Sequence, residues 1–212
     1  MSVAVCIPWR PSKRREPPYR RVREFWEATG WPIYTADSDS RIFSASQARN
    51  NAVRQADAEV VVVADADSIP PMKNVKAAVQ NPQGFIWPFT RTLIIDGCWT
   101  GPLSKARVQK EYDGIGGVTI CHRSEYLRVG GQPEEFYGWG YEVMAFHVIA
   151  QTLSTTQRIP GVLYSLNHNN EDGRSDSPCW DRDRTDNEVL LKPYLNAMRR
   201  PWLMRELLSG RI

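Results

Sequence analysis

Two aspartates separated by one residue, Asp65 and Asp67, form the pattern in this sequence best suited to binding a divalent cation. They directly follow four consecutive valines at positions 60–63, the clearest strand pattern in the chain. Hard cations such as Mg²⁺ and Mn²⁺ prefer carboxylate oxygens and often share their coordination with phosphate groups. Two carboxylates at positions i and i+2 of a turning backbone can face one ligand. The alternative is an ordinary surface turn, since Asp-x-Asp also arises by chance.

A glycine-rich segment, residues 138–142, is a second candidate site. Its glycines indicate a backbone that a ligand approaches closely or that adopts unusual torsion angles. Trp139 offers a flat apolar face on which a sugar ring can stack, and Glu142 can accept a proton from a hydroxyl group. The alternative is a structural turn with a core tryptophan, followed by a carboxylate that the dipole favours at a helix N-terminus.

His168, which lies between two asparagines, is a third candidate. A neutral imidazole commonly completes a metal site that carboxylates begin. The alternative is a solvated side chain in a polar segment. The other two histidines have weaker grounds, because His122 ends a predicted strand and His147 lies on a predicted helix.

Strand and helix patterns alternate in the first half of the chain, which predicts an α/β fold with a mainly parallel central sheet flanked by helices. Apolar and β-branched runs predict strands at residues 3–7, 31–34, 60–63, 85–88, 91–95 and 118–122. Helical spacing, caps and prolines predict helices at residues 19–29, 44–55, 71–80, 123–129, 141–151, 188–198 and 202–208. Ser44 and Gln47 fit a capping box. In such sheets ligands bind beyond the carboxyl ends of strands, where Asp65 and Asp67 are expected.

Composition narrows the class of protein. The chain has 212 residues, 42% of them hydrophobic and 24% charged, which suits a single globular domain. A net charge of +3 is too small to indicate nucleic-acid binding by itself. The four cysteines have no metal or redox spacing, and Cys6 and Cys121 lie in apolar runs typical of buried positions. Without a visible leader or an apolar run long enough to span a bilayer, we expect a cytoplasmic protein that has no membrane anchor.

Together these segments resemble the GT-A-fold glycosyltransferases of the family 2 type. Residues 46–52 and 56–70 carry the first part of the likeness, including an Ala-Arg-Asn motif and the Asp-x-Asp pattern. The second part resembles a half shared with β-1,4-galactosyltransferases and polypeptide GalNAc-transferases, and lies in residues 116–118, 123, 129–131, 135–136 and 138–142. The likeness runs from about residue 3 to residue 168.

The resemblance implies a nucleotide-sugar donor, with a UDP-sugar favoured, and Mn²⁺ or Mg²⁺ as the cofactor. It implies that Asp65, Asp67 and His168 hold the metal against the donor diphosphate, and that Glu142 is catalytic. Further residues are implied to line the donor pocket: Pro8, Arg10, Asp37, Asp39, Arg49 and Ala66. The residues implied for the acceptor and sugar site are Gly117, Trp139, Gly140 and Tyr141.

One position departs from the family pattern. The family usually has Glu-Asp where this chain has Glu142 and Val143, and that aspartate is often assigned as the catalytic base. Glu142 is the nearest substitute and Asp113 a more distant one. The expected reaction is a single displacement, in which an acceptor hydroxyl attacks the anomeric carbon and inverts its configuration.

The resemblance also divides the single domain, residues 1–212, into functional parts. Residues 1–95 are expected to form the nucleotide-sugar-binding half and residues 96–170 the acceptor and catalytic half. Residues 171–188 are polar and are expected to form a long loop or lid, and the chain is expected to close with a small helical extension up to residue 212.

The acceptor stays open at this point. Residues 10–23 contain seven basic side chains and one glutamate, and follow the first strand, so they can lie at the rim of the site. Small transferases of this type resemble phage-encoded enzymes, some of which glycosylate 5-hydroxymethylpyrimidines in DNA, and a basic rim suits phosphate contacts. A solvated helix face is the simpler explanation of the segment. A protein, polysaccharide or small-molecule acceptor is the alternative to DNA.

Two other classes of protein share parts of the pattern. A nucleotidyltransferase also uses paired carboxylates, but the chain has no glycine-rich phosphate loop near its N-terminus. A non-catalytic protein that binds a sugar nucleotide or a carbohydrate would tolerate the valine at position 143. The sequence does not indicate an oligomeric state.

Overall fold

The computed structural model describes residues 1–138, 140–168 and 180–210. The strands are β1 (Val3–Pro8), β2 (Ile33–Ala36), β3 (Val60–Ala64), β4 (Ser68–Ile69), β5 (Phe85–Trp87), β6 (Arg91–Asp96), β7 (Val108–Tyr112), β8 (Val118–His122), β9 (Thr156–Arg158) and β10 (Val162–Asn167). The helices are α1 (Glu16–Glu27), α2 (Ala45–Gln55), α3 (Met72–Ala78), α4 (Arg123–Arg128), α5 (Glu142–Leu153), α6 (Trp180–Ala197) and α7 (Pro201–Leu208). Every strand and helix predicted from the sequence is present, with shifted ends.

The first sheet contains six strands in the order β2-β1-β3-β8-β5-β9. Strand β1 runs parallel to β2 and to β3, as the alternation of strands and helices predicts. Strand β5 also runs parallel to β9, whereas β8 runs antiparallel to both β3 and β5, so the sheet is mixed with three parallel pairings out of five. All five residues of β3 are buried, which is why this segment is apolar along its whole length.

A second sheet of four strands has the order β4-β10-β6-β7, and its strands are interspersed along the chain with those of the first sheet. Three residues, 65–67, separate β3 from β4 and so form a link between the two sheets. Strand β10 pairs with β4 and with β6, and its last residue immediately precedes His168. The sequence did not predict β4 and β9, which are short, or β7, which is exposed and polar. It also did not predict β10, although this strand has six residues, two of them buried.

Helix α2 begins at the predicted cap. The Ser44 hydroxyl oxygen accepts a hydrogen bond from the backbone N–H of Gln47. The second half of the expected capping box is absent, because the Gln47 side chain accepts a hydrogen bond from the backbone of Asp39 instead. Helix α2 is therefore connected to the loop that follows β2 as well as to its own first turn.

Asn50 connects α2 to the loop before residue 138. Its side-chain nitrogen donates to the Gln132 carbonyl at 2.8 Å and to Glu134 at 2.7 Å. Its side-chain oxygen accepts from the Gln132 backbone at 2.9 Å and from the Tyr126 hydroxyl at 2.7 Å. A methyl group on Gly131 would lie 2.6 Å from that oxygen, so only glycine allows the close approach. The buried side-chain amide of Asn50 thus joins the first part of the family-like pattern, on α2, to the second part, in residues 126–134.

Helix α6 begins at Trp180, so the expectation of a loop as far as residue 188 is wrong from residue 180 onwards. Leu191, Tyr194 and Ala197 are buried at helical spacing, and the Tyr194 ring lies 6.0 Å from that of Phe136. This apolar face lies against the rest of the chain, which offsets the polar composition of the segment. Residues 171–179 of the predicted loop lie outside the described residues.

Two further expectations concern burial and membranes. Cys6 and Cys121 are buried free thiols, and burial raises the pKa of Cys6 to about 12. Both therefore act as small apolar residues at physiological pH.

Among the described residues, none of the helices has the length and apolarity that crossing a membrane requires.

Candidate active site

The segment of Asp65 and Asp67 is held by backbone hydrogen bonds on three sides. The Asp65 N–H donates to the carbonyl of Gly117 at 2.7 Å. The Asp65 carbonyl accepts from Ser68 at 3.1 Å, and the Asp67 carbonyl accepts from Leu166 at 2.8 Å. The turn is thereby connected to β4, which follows it, to the loop before β8 and to β10. Both carboxylates consequently have defined positions at the carboxyl end of β3.

Asp65 forms an ion pair with Arg49 of α2. The Arg49 Nε and Nη2 atoms lie 2.9 and 2.6 Å from one oxygen of Asp65, and Nη1 donates to the Gln132 side chain at 2.9 Å. The Arg49 side chain is only 6% exposed, and Nη1 also lies 3.8 Å from Glu142. Burial raises the pKa of Asp65 although Arg49 opposes this, and the negative charges of Asp67 and Glu142 add to the rise. The site therefore has more negative charge than Arg49 balances.

Asp67 contacts the third predicted metal ligand. Its Oδ2 atom lies 3.0 Å from Nε2 of His168, although the two residues are 101 positions apart in the chain. Burial favours the neutral form of Asp67, but the hydrogen bond and charge of His168, helped by the charge of Arg15, lower its pKa overall. The carboxylate is therefore held ionised, and His168 is only 14% exposed.

The geometry brings the three predicted metal ligands into one region without assembling them around a point. Within the described ranges, no group of three His, Cys, Asp or Glu side chains is positioned to hold a metal. Asp67 and His168 form a carboxylate–imidazole pair, while Asp65 faces Arg49. The buried Nδ1 atom of His168 has no hydrogen-bond partner among the described residues. This pair fits a divalent cation, since such a cation binds both donor types and neutralises the excess negative charge.

Glu142 is the first residue of α5, and its carboxylate is 17% exposed. The preceding Tyr141 has a backbone φ of 69°, a left-handed conformation that is uncommon for a residue with a side chain. Its hydroxyl lies 3.4 Å from Glu188 of α6, so the C-terminal region contacts this turn. Gly140, with a φ of 107°, precedes it. Trp139, the predicted sugar platform, lies outside the described residues.

Val143, which replaces the family aspartate, has a packing contact in this structure. A methyl group added to Gly116 would lie 3.3 Å from the Val143 side chain, so the valine covers the Gly116 backbone. Asp113, the more distant candidate for the base, is exposed in the loop after β7. Of the two carboxylates considered, Glu142 is the one that contacts the Arg49 side chain.

Gly117 supports the Asp65 turn. Its φ is 112°, and a methyl group at this position would lie 2.5 Å from the Leu163 side chain and 3.0 Å from the Ser68 hydroxyl. Its carbonyl accepts the hydrogen bond from Asp65. The described contacts of Gly117 are therefore structural, and its predicted role in binding a sugar stays a prediction.

Replacing Gly117 with alanine should destabilise the protein by about 2–4 kcal/mol, because an unfavourable φ and a steric overlap are combined. Gly130 is the matched control, since it has a φ of 87° but nothing within 4 Å of an added methyl group. Gly130→Ala should cost only about 1 kcal/mol. Urea denaturation measures both variants. If both variants lost the same free energy of unfolding, the overlap with Leu163 would not be what restricts position 117 to glycine.

Two of the predicted donor residues, Arg10 and Asp37, contact each other at the loop that follows β2. Arg10 donates to both carboxylate oxygens of Asp37, at 2.9 and 2.8 Å, and to three carbonyls of residues 38–41. Asp39 is exposed beside this pair. Pro8 is buried and lies opposite Ala36 in the sheet, and Ala66 is partly buried between the two aspartates. Arg10 and Asp37 therefore hold the loop, whereas Asp39 is accessible to a ligand.

The basic segment, residues 10–23, is partly used for internal contacts. Arg10 bonds the Asp37 loop, Arg21 donates to the carbonyls of Trp99 and Gly101, and Arg23 pairs with Glu27 at 2.8 Å. Lys13, Arg14 and Arg20 are exposed. The segment is thus less available for phosphate contacts than its sequence suggests.

Two residues near the carboxylates were not singled out by sequence. Arg15, counted only as part of the basic segment, lies with its guanidinium 5.8 Å from the centre of the Phe43 ring and lowers the pKa of Asp67. Partial burial, followed by the charges of Asp67 and Asp65, raises the pKa of Tyr112, although this residue at the end of β7 is still 45% exposed. No local pattern marks Tyr112, because β7 is exposed along its length and lacks an apolar alternation.

Comparison with solved structures identifies the fold. A complex of a Drosophila β1,4-galactosyltransferase 7 variant with manganese, UDP-Gal and xylobiose superimposes with a TM-score of 0.60 at 18% identity, covering 90% of this chain and 79% of that one. TarS of S. aureus in complex with UDP-GlcNAc gives a TM-score of 0.54 at 15% identity, covering 99% of this chain and 71% of that one. The chain has the GT-A fold.

Sequence comparison supports the same assignment over part of the chain. Residues 102–166 match the family model for the N-terminal domain of galactosyltransferase. Among curated proteins, none matches the chain by sequence. The matched segment contains β7, β8, α4, α5 and most of β10, and so covers the loop before β8 and the start of α5. The predicted fold class is confirmed, and the resemblance to galactosyltransferases is supported by the family model for residues 102–166.

Proposed function

We propose that this chain is a metal-dependent glycosyltransferase that moves a sugar from a UDP-sugar to an acceptor hydroxyl with inversion at the anomeric carbon. The observation that carries the proposal is the contact of Asp67 with His168 at 3.0 Å, next to the pair of Asp65 and Arg49. These four side chains lie where β3 ends, between the two sheets. Ligands of α/β folds bind at such strand ends.

Asp67 and His168 are the side chains proposed to hold the metal, with Asp65 beside them. Bound Mn²⁺ or Mg²⁺ would supply positive charge that stabilises a leaving diphosphate. The structural neighbours include a galactosyltransferase with manganese and UDP-Gal and TarS with UDP-GlcNAc, which favours Mn²⁺ and a UDP-sugar here. Arg49 keeps Asp65 in place, and Arg15 adds a positive charge near Asp67.

Glu142 is proposed as the base that removes the proton from the acceptor hydroxyl. Its carboxylate is mostly shielded from solvent and is oriented by Arg49 at 3.8 Å and by the first turn of α5. A carboxylate in reach of a hydroxyl contributes catalysis by accepting the proton in the transition state. Asp39, Gly140 and Tyr141 are the accessible residues proposed to contact the donor and the sugar, together with Trp139.

Glu142→Gln should slow transfer by roughly 10²–10⁴-fold while leaving donor binding largely intact, because the amide keeps the shape but cannot accept a proton. Rates of UDP release with acceptor present, and the affinity for UDP with Mn²⁺, separate the two effects. Glu206→Gln, on an exposed position of α7, is the control. An unchanged rate in Glu142→Gln would remove this residue as the base.

A thermal-shift screen tests the function as a whole. UDP-Gal, UDP-GlcNAc, a GDP-sugar and a dTDP-sugar are added with and without Mn²⁺, since a ligand that binds only the folded state raises its melting temperature. We expect stabilisation by a UDP-sugar that requires Mn²⁺, followed by slow hydrolysis of the stabilising donor. Absence of both effects with every donor would contradict the proposal. Release of pyrophosphate with formation of a nucleotide-sugar would identify a nucleotidyltransferase instead, and binding without turnover a non-catalytic protein.

DNA containing 5-hydroxymethylpyrimidines is a second candidate acceptor. The observation in its favour is the position of Arg15 beside Asp67, next to exposed Lys13, Arg14 and Arg20. Binding to such DNA should then weaken steeply as salt is raised from 50 to 200 mM, because counterions are released on binding. No binding at the lower salt concentration would exclude this acceptor.

A further inference from the structure

A cavity of about 640 Å³ opens at the end of β6 and the start of β7. Its described lining residues are Asp96, Trp99, Ala106, Arg107, Val108 and Gln109. The volume lies in the range of sites that hold small organic ligands, and the lining combines one aromatic ring with several hydrogen-bonding groups. Neither the family-like motifs nor the residues proposed for catalysis include these side chains.

Trp99 is fixed in orientation. Its indole N–H donates to the Pro102 carbonyl at 3.2 Å, and its backbone N–H donates to Asp96 at 3.1 Å. Arg21 of α1 donates to the carbonyls of Trp99 and Gly101. A methyl group on Gly101 would lie 2.7 Å from the indole ring, so the loop packs against the ring edge. The loop therefore presents a ring that needs no reordering to bind a flat ligand.

The polar groups around the ring suit a ligand with many hydroxyls. Asp96, Arg107 and Gln109 are all exposed at the cavity. A carboxylate and an amide accept hydrogen bonds from hydroxyl groups, while the guanidinium donates to ring and hydroxyl oxygens. A sugar ring offers an apolar face for the indole and hydroxyls at its edge. Arg107 is the basic residue among the described lining residues and Asp96 opposes it, so the cavity has no excess positive charge for a phosphate backbone.

The cavity is connected directly to the catalytic region. Asp96 lies opposite Asn167 in the register of β6 and β10, and the Gly97 N–H donates to the Asn167 carbonyl at 3.1 Å. The Asn167 side chain donates to Gln109 at 2.8 Å. The residue after Asn167 is His168, which contacts Asp67. Strand β6, which ends at the cavity, is therefore paired with β10, whose last residue directly precedes His168 of the proposed metal pair.

We propose that this cavity is a saccharide subsite, in which a sugar of a neutral oligosaccharide acceptor stacks on Trp99 while the rest of the acceptor extends past the paired ends of β6 and β10 towards the proposed metal pair. This proposal rests on the function proposed above. It assigns the acceptor to the class of oligosaccharides, with Asp96 and Gln109 reading the hydroxyls. DNA as the occupant is a separate outcome of the test.

The test uses the full chain labelled with 5-fluorotryptophan and observed by ¹⁹F NMR, with Trp99→Phe assigning the Trp99 signal. Xylobiose, cellobiose, chitobiose and lactose are titrated in the presence of UDP and Mn²⁺. We expect at least one disaccharide to shift the Trp99 signal in a saturable way, and Asp96→Asn to weaken that binding roughly tenfold, as for loss of a charged hydrogen-bond partner. The signal of Trp202, which is 62% exposed on α7, should not move.

The outcomes distinguish this proposal from the one it rests on. A disaccharide that shifts the Trp139 signal but not the Trp99 signal would overturn the subsite and leave the glycosyltransferase proposal standing. No shift of the Trp99 signal with any disaccharide would overturn the subsite, as would a shift produced only by a short oligodeoxynucleotide. Failure of UDP and Mn²⁺ to raise the melting temperature of the same sample would count against the proposed function, whatever the Trp99 signal does.

Discussion

Replacing Asp67 with asparagine should reduce transfer on the order of 10²–10³-fold, the size of effect seen when one group that stabilises a transition state is removed. The amide keeps the shape of the side chain and its place beside His168, but it loses the negative charge that the proposed cation requires. The measurement is the rate of UDP release at Mn²⁺ concentrations from zero to saturation. The variant should also need far more Mn²⁺ than the wild type for its residual activity.

Asp57→Asn is the control for this change. Asp57 is an exposed aspartate shortly before β3 and is absent from the proposed site, so its substitution should leave both the rate and the Mn²⁺ requirement unchanged. Wild-type activity in Asp67→Asn at every Mn²⁺ concentration would eliminate Asp67 as a metal ligand. A rate that falls without any change in the Mn²⁺ requirement would assign it a different role.

Replacing Arg49 with methionine should destabilise the fold by about 3 kcal/mol, because it leaves the carboxylates of Asp65 and Glu142 with no cation in a largely buried region. The change should also stop transfer, since Asp65 loses the two hydrogen bonds that orient it. Urea denaturation gives the free energy of unfolding. The matched control is Arg54→Met, further along the same helix, because Arg54 is 54% exposed and pairs with Glu134. Its substitution should lower the free energy of unfolding by less than about 1 kcal/mol.

A double variant separates the lost ion pair from other effects of the substitution. Arg49→Met combined with Asp65→Asn removes both charges, so it should recover part of the stability that Arg49→Met alone loses. The expected recovery is about 1–2 kcal/mol, because Glu142 still lacks its partner. If the double variant is no more stable than the single one, the cost of Arg49→Met comes from packing and from the lost contact with Gln132.

Local pattern was enough to predict five of the six strands of the first sheet, all except β9, and the helices that follow them. The valines of β3 and the Ser44 cap of α2 are governed by propensity and short-range hydrogen bonds, so they can be read from a few neighbouring residues. The direction of β8 could not be read in this way, because pairing partners are chosen by the packing of distant segments. Strand β7 was missed because its five residues are exposed and show no apolar alternation.

The first residue of α6 also could not be predicted from local sequence pattern. Its polar first half carries many charges and was expected to be a loop, but the helix begins at Trp180. The later buried positions Leu191 and Tyr194 pack against the chain, and the Tyr194 hydroxyl bonds Glu135. Tertiary contacts of the second half therefore support a helix that propensity alone would not predict.

The sequence by itself determined that Asp65 and Asp67 end a buried strand and that a histidine and a glycine-rich turn follow in family order. It did not determine their partners. Only the tertiary structure decided that Asp65 pairs with Arg49 while Asp67 contacts His168, 101 positions away. It also decided that Arg10 and Asp37 are used to hold a loop, and that the loop containing Trp99 bonds the residue before His168. The physical reason is that a residue type sets which chemistry is available, whereas the pairing of charges depends on which strands and loops the fold brings together.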